Sequence, residues 1–143
     1  MSEAELLEAA ARTAAMAESV ATALSVAASD AAARFSSGDL EGGIRRADEL
    51  LPRIERFLAF AVVARDLVRG RRPDLAQRIE AFVQRLLGAA ERLGGALEAQ
   101  DLVAVAMTLE LAIAPATAGW GALAEEVSWA LAQAADGRDS MAA

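Results

Sequence analysis

Residues 73–98 read PDLAQRIEAFVQRLLGAAERLGGALE. Apolar residues recur in this stretch at spacings of three and four, namely Leu75, Ile79, Phe82, Leu86, Ala90, Leu93 and Leu97. That spacing gathers them on one face of an α-helix, while charged residues such as Arg78, Arg85 and Glu91 lie off that face. The stretch therefore predicts a long amphipathic helix, with one side against a core and the other in water.

Three turn signals divide the rest of the chain. Gly38 followed by Asp39 predicts the end of one helix and the N-cap of the next. Pro73 suits the first position of a helix, and Asp101 can cap a further one. We therefore predict four helices, near residues 3–35, 40–69, 73–98 and 102–135.

The predicted turns are short, and short turns make consecutive helices antiparallel. The fold class expected is all-α, as an antiparallel up-down-up-down four-helix bundle. Residues 1–135 form this single domain, and residues 136–143 are expected to be a flexible C-terminal tail. Pro52 and Pro115 fall inside predicted helices, and each removes an amide donor and should bend its helix.

The composition excludes several kinds of chemistry. The 143 residues include no Cys and no His, which removes thiolate chemistry, the commonest metal ligand and the usual acid or base at neutral pH. The serines have no His or Lys to activate them. The net charge of -7 argues against general nucleic-acid binding. We expect no enzymatic activity, no cofactor, no metal and no nucleic-acid partner.

The sequence also predicts where the protein resides. The longest apolar run considered, residues 57–64, is far shorter than the roughly 20 residues that span a bilayer. The acidic N-terminus lacks the basic region of a signal peptide. We therefore expect no membrane association and a cytoplasmic location. The use of Arg without Lys, together with abundant Ala and Gly, is typical of a GC-rich bacterial source.

The fourth predicted helix carries two apolar rows. On a helical wheel, its core row is Leu102, Leu109, Ile113, Ala116, Trp120, Val127 and Leu131. A second row lies on the far side, where a bundle helix is normally polar: Val103, Met107, Leu111, Ala114, Ala118, Ala122 and Trp129. This second row is more apolar than packing into a bundle requires.

The first predicted helix repeats the pattern, with Met16, Ser19, Ala23 and Val26 opposite its alanine-rich core row. The first and fourth helices are neighbours in such a bundle, so their outer rows should merge into one surface. Its centre is built of small residues and its edges of large apolar ones, as in protein interfaces. The predicted partner-binding residues are Met16, Ser19, Ala23, Val26, Met107, Leu111, Ala114, Ala118, Ala122 and Trp129.

Two other interpretations of the same residues stay open. Alanine-rich helices are weakly polar on every face, and single exposed apolar residues are common on protein surfaces. Alternatively, the bundle is distorted and these residues belong to its core. Burial of Met107, Leu111 and Trp129 would support that second interpretation.

The segment from Ala96 to Trp120 resembles a stretch of small uncharacterised bacterial helical proteins. Leu109, Glu110, Pro115 and Trp120 fit that pattern. The resemblance implies acidic residues where Met107 and Ala112 stand, and a hydroxylated aromatic at Leu111. All three departures are toward apolar residues. They motivate the hypothesis of a natural bacterial scaffold whose surface was redesigned to bind a protein.

The sequence thus favours a protein-binding module that docks another protein, or a second copy of itself, through the outer side of the first and fourth helices. Alternatives are a natural secretion-type chaperone or adaptor that holds an amphipathic helix, and a homodimerising structural protein.

Overall fold

The first helices begin at side chains that satisfy free backbone groups. The computed structural model describes the backbone of residues 2–142 and the side chains of residues 2–137. The hydroxyl of Ser2 caps α1 (Glu3–Ser36) by accepting the amide of Glu5. Gly38 then adopts a φ of +89°, and Asp39 caps α2 (Leu40–Val68), because its Oδ1 accepts the amide of Gly42 at 2.9 Å. The predicted roles of Gly38 and Asp39 are confirmed.

The next two turns also lie where the sequence predicts them. Pro73 opens α3 (Pro73–Glu98). Gln100 in the following turn has a φ of 55°, and Asp101 Oδ1 accepts the amide of Ala104 at 3.1 Å. The part of the chain that the structure describes contains helices and turns and no strand, so the all-α class is confirmed.

The predicted fourth helix is segmented rather than uniform. Its parts are α4 (Leu102–Thr108), a π-helical turn (Leu109–Ile113), α5 (Ala114–Ala118), a 3₁₀ turn (Gly119–Ala122) and α6 (Ala124–Ala142). Pro115 lacks an amide hydrogen, so the carbonyl of Leu111 loses its usual α-helical donor. In the turn that precedes the proline, the amide of Ala114 donates to the carbonyl of Leu109, five residues back.

Two further features bear on the predictions, namely the end of α6 and Pro52. The backbone of α6 stays helical to Ala142, past the predicted start of the tail at residue 136, and residue 143 lies outside the described residues. Pro52 is accommodated inside a continuous α2, where its side chain is exposed.

The helices enclose one apolar core. Helix α1 lies against α2, α5 and α6, and α3 lies against α2 and α4. The buried residues of α1 are mostly alanines, which let its neighbours approach closely. The large, fully buried side chains come mainly from the other elements: Leu50, Ile54, Val68, Leu75, Ile79, Leu86, Leu93, Leu109, Ile113, Trp120 and Leu131.

An aromatic cluster forms one part of this core. The ring of Trp120 is fully buried and meets Phe57 and Phe82 edge to face, with centroid distances of 5.2 and 5.0 Å. Phe60 contacts the same indole at 5.7 Å. Within the described residues, the indole Nε1 of Trp120 has no hydrogen-bond partner.

Candidate functional site

An exposed apolar row runs along the start of the segmented helix of residues 102–142, which we call the rod. Val103, Met107 and Leu111 follow one another at intervals of four residues and are 70%, 54% and 65% exposed. Intervals of four place side chains one above the other on the same face of a helix. The exposure of Met107 and Leu111 agrees with the predicted outer row. The alternative interpretation, that these two residues belong to the core, is wrong.

Trp129 on α6 extends this surface toward the other end of the rod. Its side chain is 59% exposed and borders a shallow groove between α1 and α6. Ala15 and Glu18 of α1 line the opposite wall of that groove. The predicted neighbours Ala118 and Ala122 are also exposed.

The predicted residues on the outer side of α1 are exposed, but they line two different depressions. Ser19, Ala23 and Val26 line an open depression that also includes Arg46 of α2. Met16 is exposed but lies beside Phe57 and Phe60, in a separate groove between α1 and α2. Met16 therefore faces α2 rather than the rod of residues 102–142.

Ala114 corrects the predicted surface. The wheel placed it on the outer row, but only 8% of the residue is exposed. Its carbonyl oxygen accepts hydrogen bonds from Ser25 of α1 at 2.9 Å and from Thr117 at 3.1 Å. Ala114 therefore belongs to the contact between α1 and α5 and is not available to a partner.

The remaining exposed residues define what we call the outer apolar face: Ser19, Ala23, Val26, Val103, Met107, Leu111, Ala118, Ala122 and Trp129. Val103 belongs to this set because of its exposure; the wheel placed it on the outer row, although it was left out of the predicted partner-binding residues. Val20, which is 45% exposed on α1, was missed altogether and lies beside Met16.

Acidic side chains border the outer apolar face. Glu18 and Glu125 line the groove next to Trp129, and Glu110 lies beside Ala33 at the other end of α1. All three carboxylates are exposed. Among the side chains that the structure describes, none of them forms an ion pair. The edge of the face is therefore negatively charged.

Another carboxylate close to Trp129, that of Glu126, is paired with arginines. Glu126 accepts hydrogen bonds from Arg78 and Arg72 at 3.0 Å, and Arg72 also binds Asp74. The two guanidinium groups, Arg78 first, hold the pKa of Glu126 below its ordinary value. Arg78 of α3 and Glu126 of α6 therefore join these two helices, and Glu126 lines the same shallow depression as Trp129.

The rod also contains a long apolar segment. Residues Leu102–Ala122 have a mean hydropathy of 1.7 and, by length and composition, could cross a membrane. The run at residues 57–64 is therefore not the longest apolar stretch of the chain. About 33% of that window is buried in the fold, where Ser25 binds its backbone.

Further comparisons give no functional assignment. Within the described residues, no group of three or more acidic side chains is arranged to hold a metal ion. Comparison of the chain with protein-family models, with curated proteins and with solved structures found no match.

Proposed function

We propose that this protein is a protein-binding module, and that a partner protein docks on the outer apolar face. The exposure of Val103, Met107, Leu111 and Trp129 carries the proposal. Full burial of one such side chain is worth about 1.5–3 kcal/mol, and the folded monomer forgoes most of it at four positions. Val103, Met107 and Leu111 form one strip at intervals of four residues, and exposed apolar patches are typical of partner-binding sites.

The charges around the face indicate which partner it fits. Glu18, Glu110 and Glu125 are exposed carboxylates at its edge with no ion pair among the described side chains, and the chain as a whole carries a net charge of -7. A partner with apolar anchors bordered by Lys or Arg would complement both the centre and the edge. A second copy would bring the same acidic edge to the interface, which makes a two-fold dimer through this face less favourable.

The proposed scaffold is an up-down-up-down bundle, in which α1, α2, α3 and the rod of residues 102–142 are the four helices. The short turns at residues 37–39, 69–72 and 99–101 support this topology, because they leave no room for a crossover connection. A rigid bundle presents the face without an ordering cost on binding. The proposed binding role is the same for a natural surface and for a redesigned one.

A pull-down that compares surface variants tests the proposal. Leu111→Glu and Trp129→Glu should each abolish capture of the partner while thermal unfolding is unchanged. Leu87→Glu is the matched control, because Leu87 is 39% exposed on α3, away from the face, and this variant should capture the partner normally.

Two outcomes would contradict the proposal. The first is capture by Leu111→Glu and Trp129→Glu at the level of the parent. The second is self-association in sedimentation velocity that Leu111→Glu removes, which would make a second copy the occupant of the face.

Raising the salt from 0.15 to 1 M should weaken capture of a basic partner by the acidic edge, since the Debye length falls from about 8 to about 3 Å.

A further inference from the structure

A second apolar depression lies on the other side of α1, in the groove between α1 and α2. It has a volume of about 240 Å³ and is lined by Thr13, Met16, Ala17, Val20, Arg53, Arg56, Phe57 and Phe60. The outer apolar face does not include any of these residues. The groove therefore needs its own explanation.

Apolar side chains form most of the surface of this groove, which therefore suits an apolar ligand. Met16 and Val20 form one wall and are 62% and 45% exposed, so apolar surface is left open to water. Phe57 and Phe60 of α2 contact each other edge to face at 5.9 Å and line the groove from its other side. Both rings also contact Trp120, which fixes them against the core.

The polar part of the groove is a pair of arginines. Arg53 and Arg56 are three residues apart on α2, so their side chains are neighbours on one helix face. Neither forms an ion pair among the described side chains. By contrast, Arg46 on the same helix pairs with Asp30, and Arg65 pairs with Glu80. Two neighbouring positive charges on one helix face repel each other and destabilise the helix. An anion bound between Arg53 and Arg56 would remove this repulsion.

We propose that the groove between α1 and α2 binds a small carboxylic acid with an aliphatic chain, its carboxylate on Arg53 and Arg56 and its chain against Phe57, Phe60, Met16 and Val20. Arginine donates paired hydrogen bonds to carboxylates in a fork geometry, which suits this head group. The volume is slightly below the range of about 300–1,000 Å³ for drug-sized ligands, so the chain is of medium length. The local positive charge selects an anion even though the whole protein is acidic.

Isothermal titration of the full-length protein with decanoate, below its micelle-forming concentration, tests this site. Decanoate should bind saturably, and decyltrimethylammonium, which has the same tail and the opposite charge, should not. Arg53→Gln with Arg56→Gln should weaken decanoate binding by about tenfold or more, because charge-assisted hydrogen bonds are lost. In a Trp129→Phe background, decanoate should also change the fluorescence of Trp120, whose ring contacts the groove-lining phenylalanines.

The matched control is Arg85→Gln with Arg92→Gln, which removes the same charge from the exposed side of α3 and should leave decanoate binding unchanged. Val20→Asp places a negative charge at the open wall and should abolish binding while the fold is retained.

Three results would overturn the proposal: equal weakening of decanoate binding by both arginine-pair variants, equal binding of the two amphiphiles, or no saturable binding of decanoate. So would binding of an acidic helical peptide in this groove without binding of decanoate, since the occupant would then be a protein segment.

Discussion

The two tryptophans of this chain have opposite environments. Trp120 is fully buried among Phe57, Phe60 and Phe82, whereas Trp129 is 59% exposed. Edge-to-face contacts of this kind add about 0.5–1.5 kcal/mol per pair to the burial of the rings. The indole Nε1 of Trp120 has no hydrogen-bond partner among the described residues, which costs about 1–3 kcal/mol within the same cluster. Trp120 therefore belongs to the core of the fold, whereas Trp129 belongs to the face that we propose as the binding site.

Alanine substitutions should separate these two roles. Trp120→Ala should lower the free energy of unfolding by about 3–5 kcal/mol, because it removes a large core side chain and leaves a cavity. Trp129→Ala should change it by no more than about 0.5 kcal/mol, as is usual for surface positions. Urea unfolding followed by circular dichroism measures both values. A large loss of stability in Trp129→Ala would mean that this side chain is part of the fold.

At the level of single residues, the sequence predicted much of this correctly. The N-caps Asp39 and Asp101 and the core residue Trp120 follow from local spacing, because capping and helix periodicity depend on neighbours in the chain. Ala114 was assigned to the wrong side, and the orientation of Met16 toward α2 was not anticipated. Both depend on contacts between helices, which local spacing does not contain.

The rod of residues 102–142 shows why Ala114 was misplaced. A π-helical turn advances by less than 100° per residue, and a 3₁₀ turn, with 3.0 residues per turn, advances by more. The π turn at Leu109–Ile113 therefore rotates the following side chains backward, which brings Ala114 and Thr117 into the buried side. The 3₁₀ turn at Gly119–Ala122 rotates the chain forward again, so Val127 and Leu131 lie in the core as the wheel predicted.

A hydrogen bond from α1 holds this irregular part of the rod. Ser25 Oγ donates to the carbonyl of Ala114 at 2.9 Å, and Thr117 Oγ1 donates to the carbonyl of Ile113 at 2.9 Å. Ser25→Ala should lower the free energy of unfolding by about 0.5–1.5 kcal/mol, the usual net contribution of a hydrogen bond. It should also speed amide hydrogen exchange in residues 109–118, since the contact with α1 is lost.

Ser29→Ala is a suitable control for that experiment. Ser29 lies four residues further along α1 and is exposed, so its substitution should leave both the unfolding free energy and the exchange of residues 109–118 unchanged. If Ser25→Ala behaves in the same way as this control, then the contact between Ser25 and Ala114 does not stabilise the rod.

Across the whole molecule, ion pairs join helices that are distant in sequence. Arg72 and Arg78 bind Glu126 between α3 and α6, and Arg65 binds Glu80 between α2 and α3. Hydrogen bonds from Gln84 and Arg65 lower the pKa of Glu80, and Arg72 lowers the pKa of Asp74 to about 2. Because these groups are partly or largely exposed to solvent, each pair contributes only a small part of the stability.

These lowered pKa values determine how the stability of the fold changes with pH. A carboxylate whose pKa is lower in the folded state stabilises the fold above its unfolded pKa, and this contribution is lost as the pH falls through the folded value. The melting temperature should therefore decrease as the pH falls from about 5 to about 2, the unfolded pKa of Asp and Glu being about 4. Scanning calorimetry in that range measures it.

Glu126→Gln tests the origin of that dependence. It removes one lowered carboxylate and two ion pairs, so the melting temperature should be lower at neutral pH and should fall less steeply between pH 5 and 2. Glu91→Gln, an exposed position on α3 without an ion pair among the described side chains, should leave the curve parallel to that of the parent. Identical slopes for the parent and Glu126→Gln would exclude a contribution from this cluster.

The sequence by itself determined the helical class, the turns, the alanine-rich core side of α1 and the surplus of apolar residues on the outer sides of the helices. These properties depend on propensity, capping and periodicity, which act over a few residues. The tertiary structure alone decided which of the surplus residues are exposed together, because Pro115 and packing against α1 change the helical phase of the rod. It also decided that Met16 and Val20 share a groove with Arg53 and Arg56, since only the packing of α1 on α2 brings residues so far apart in the chain into contact.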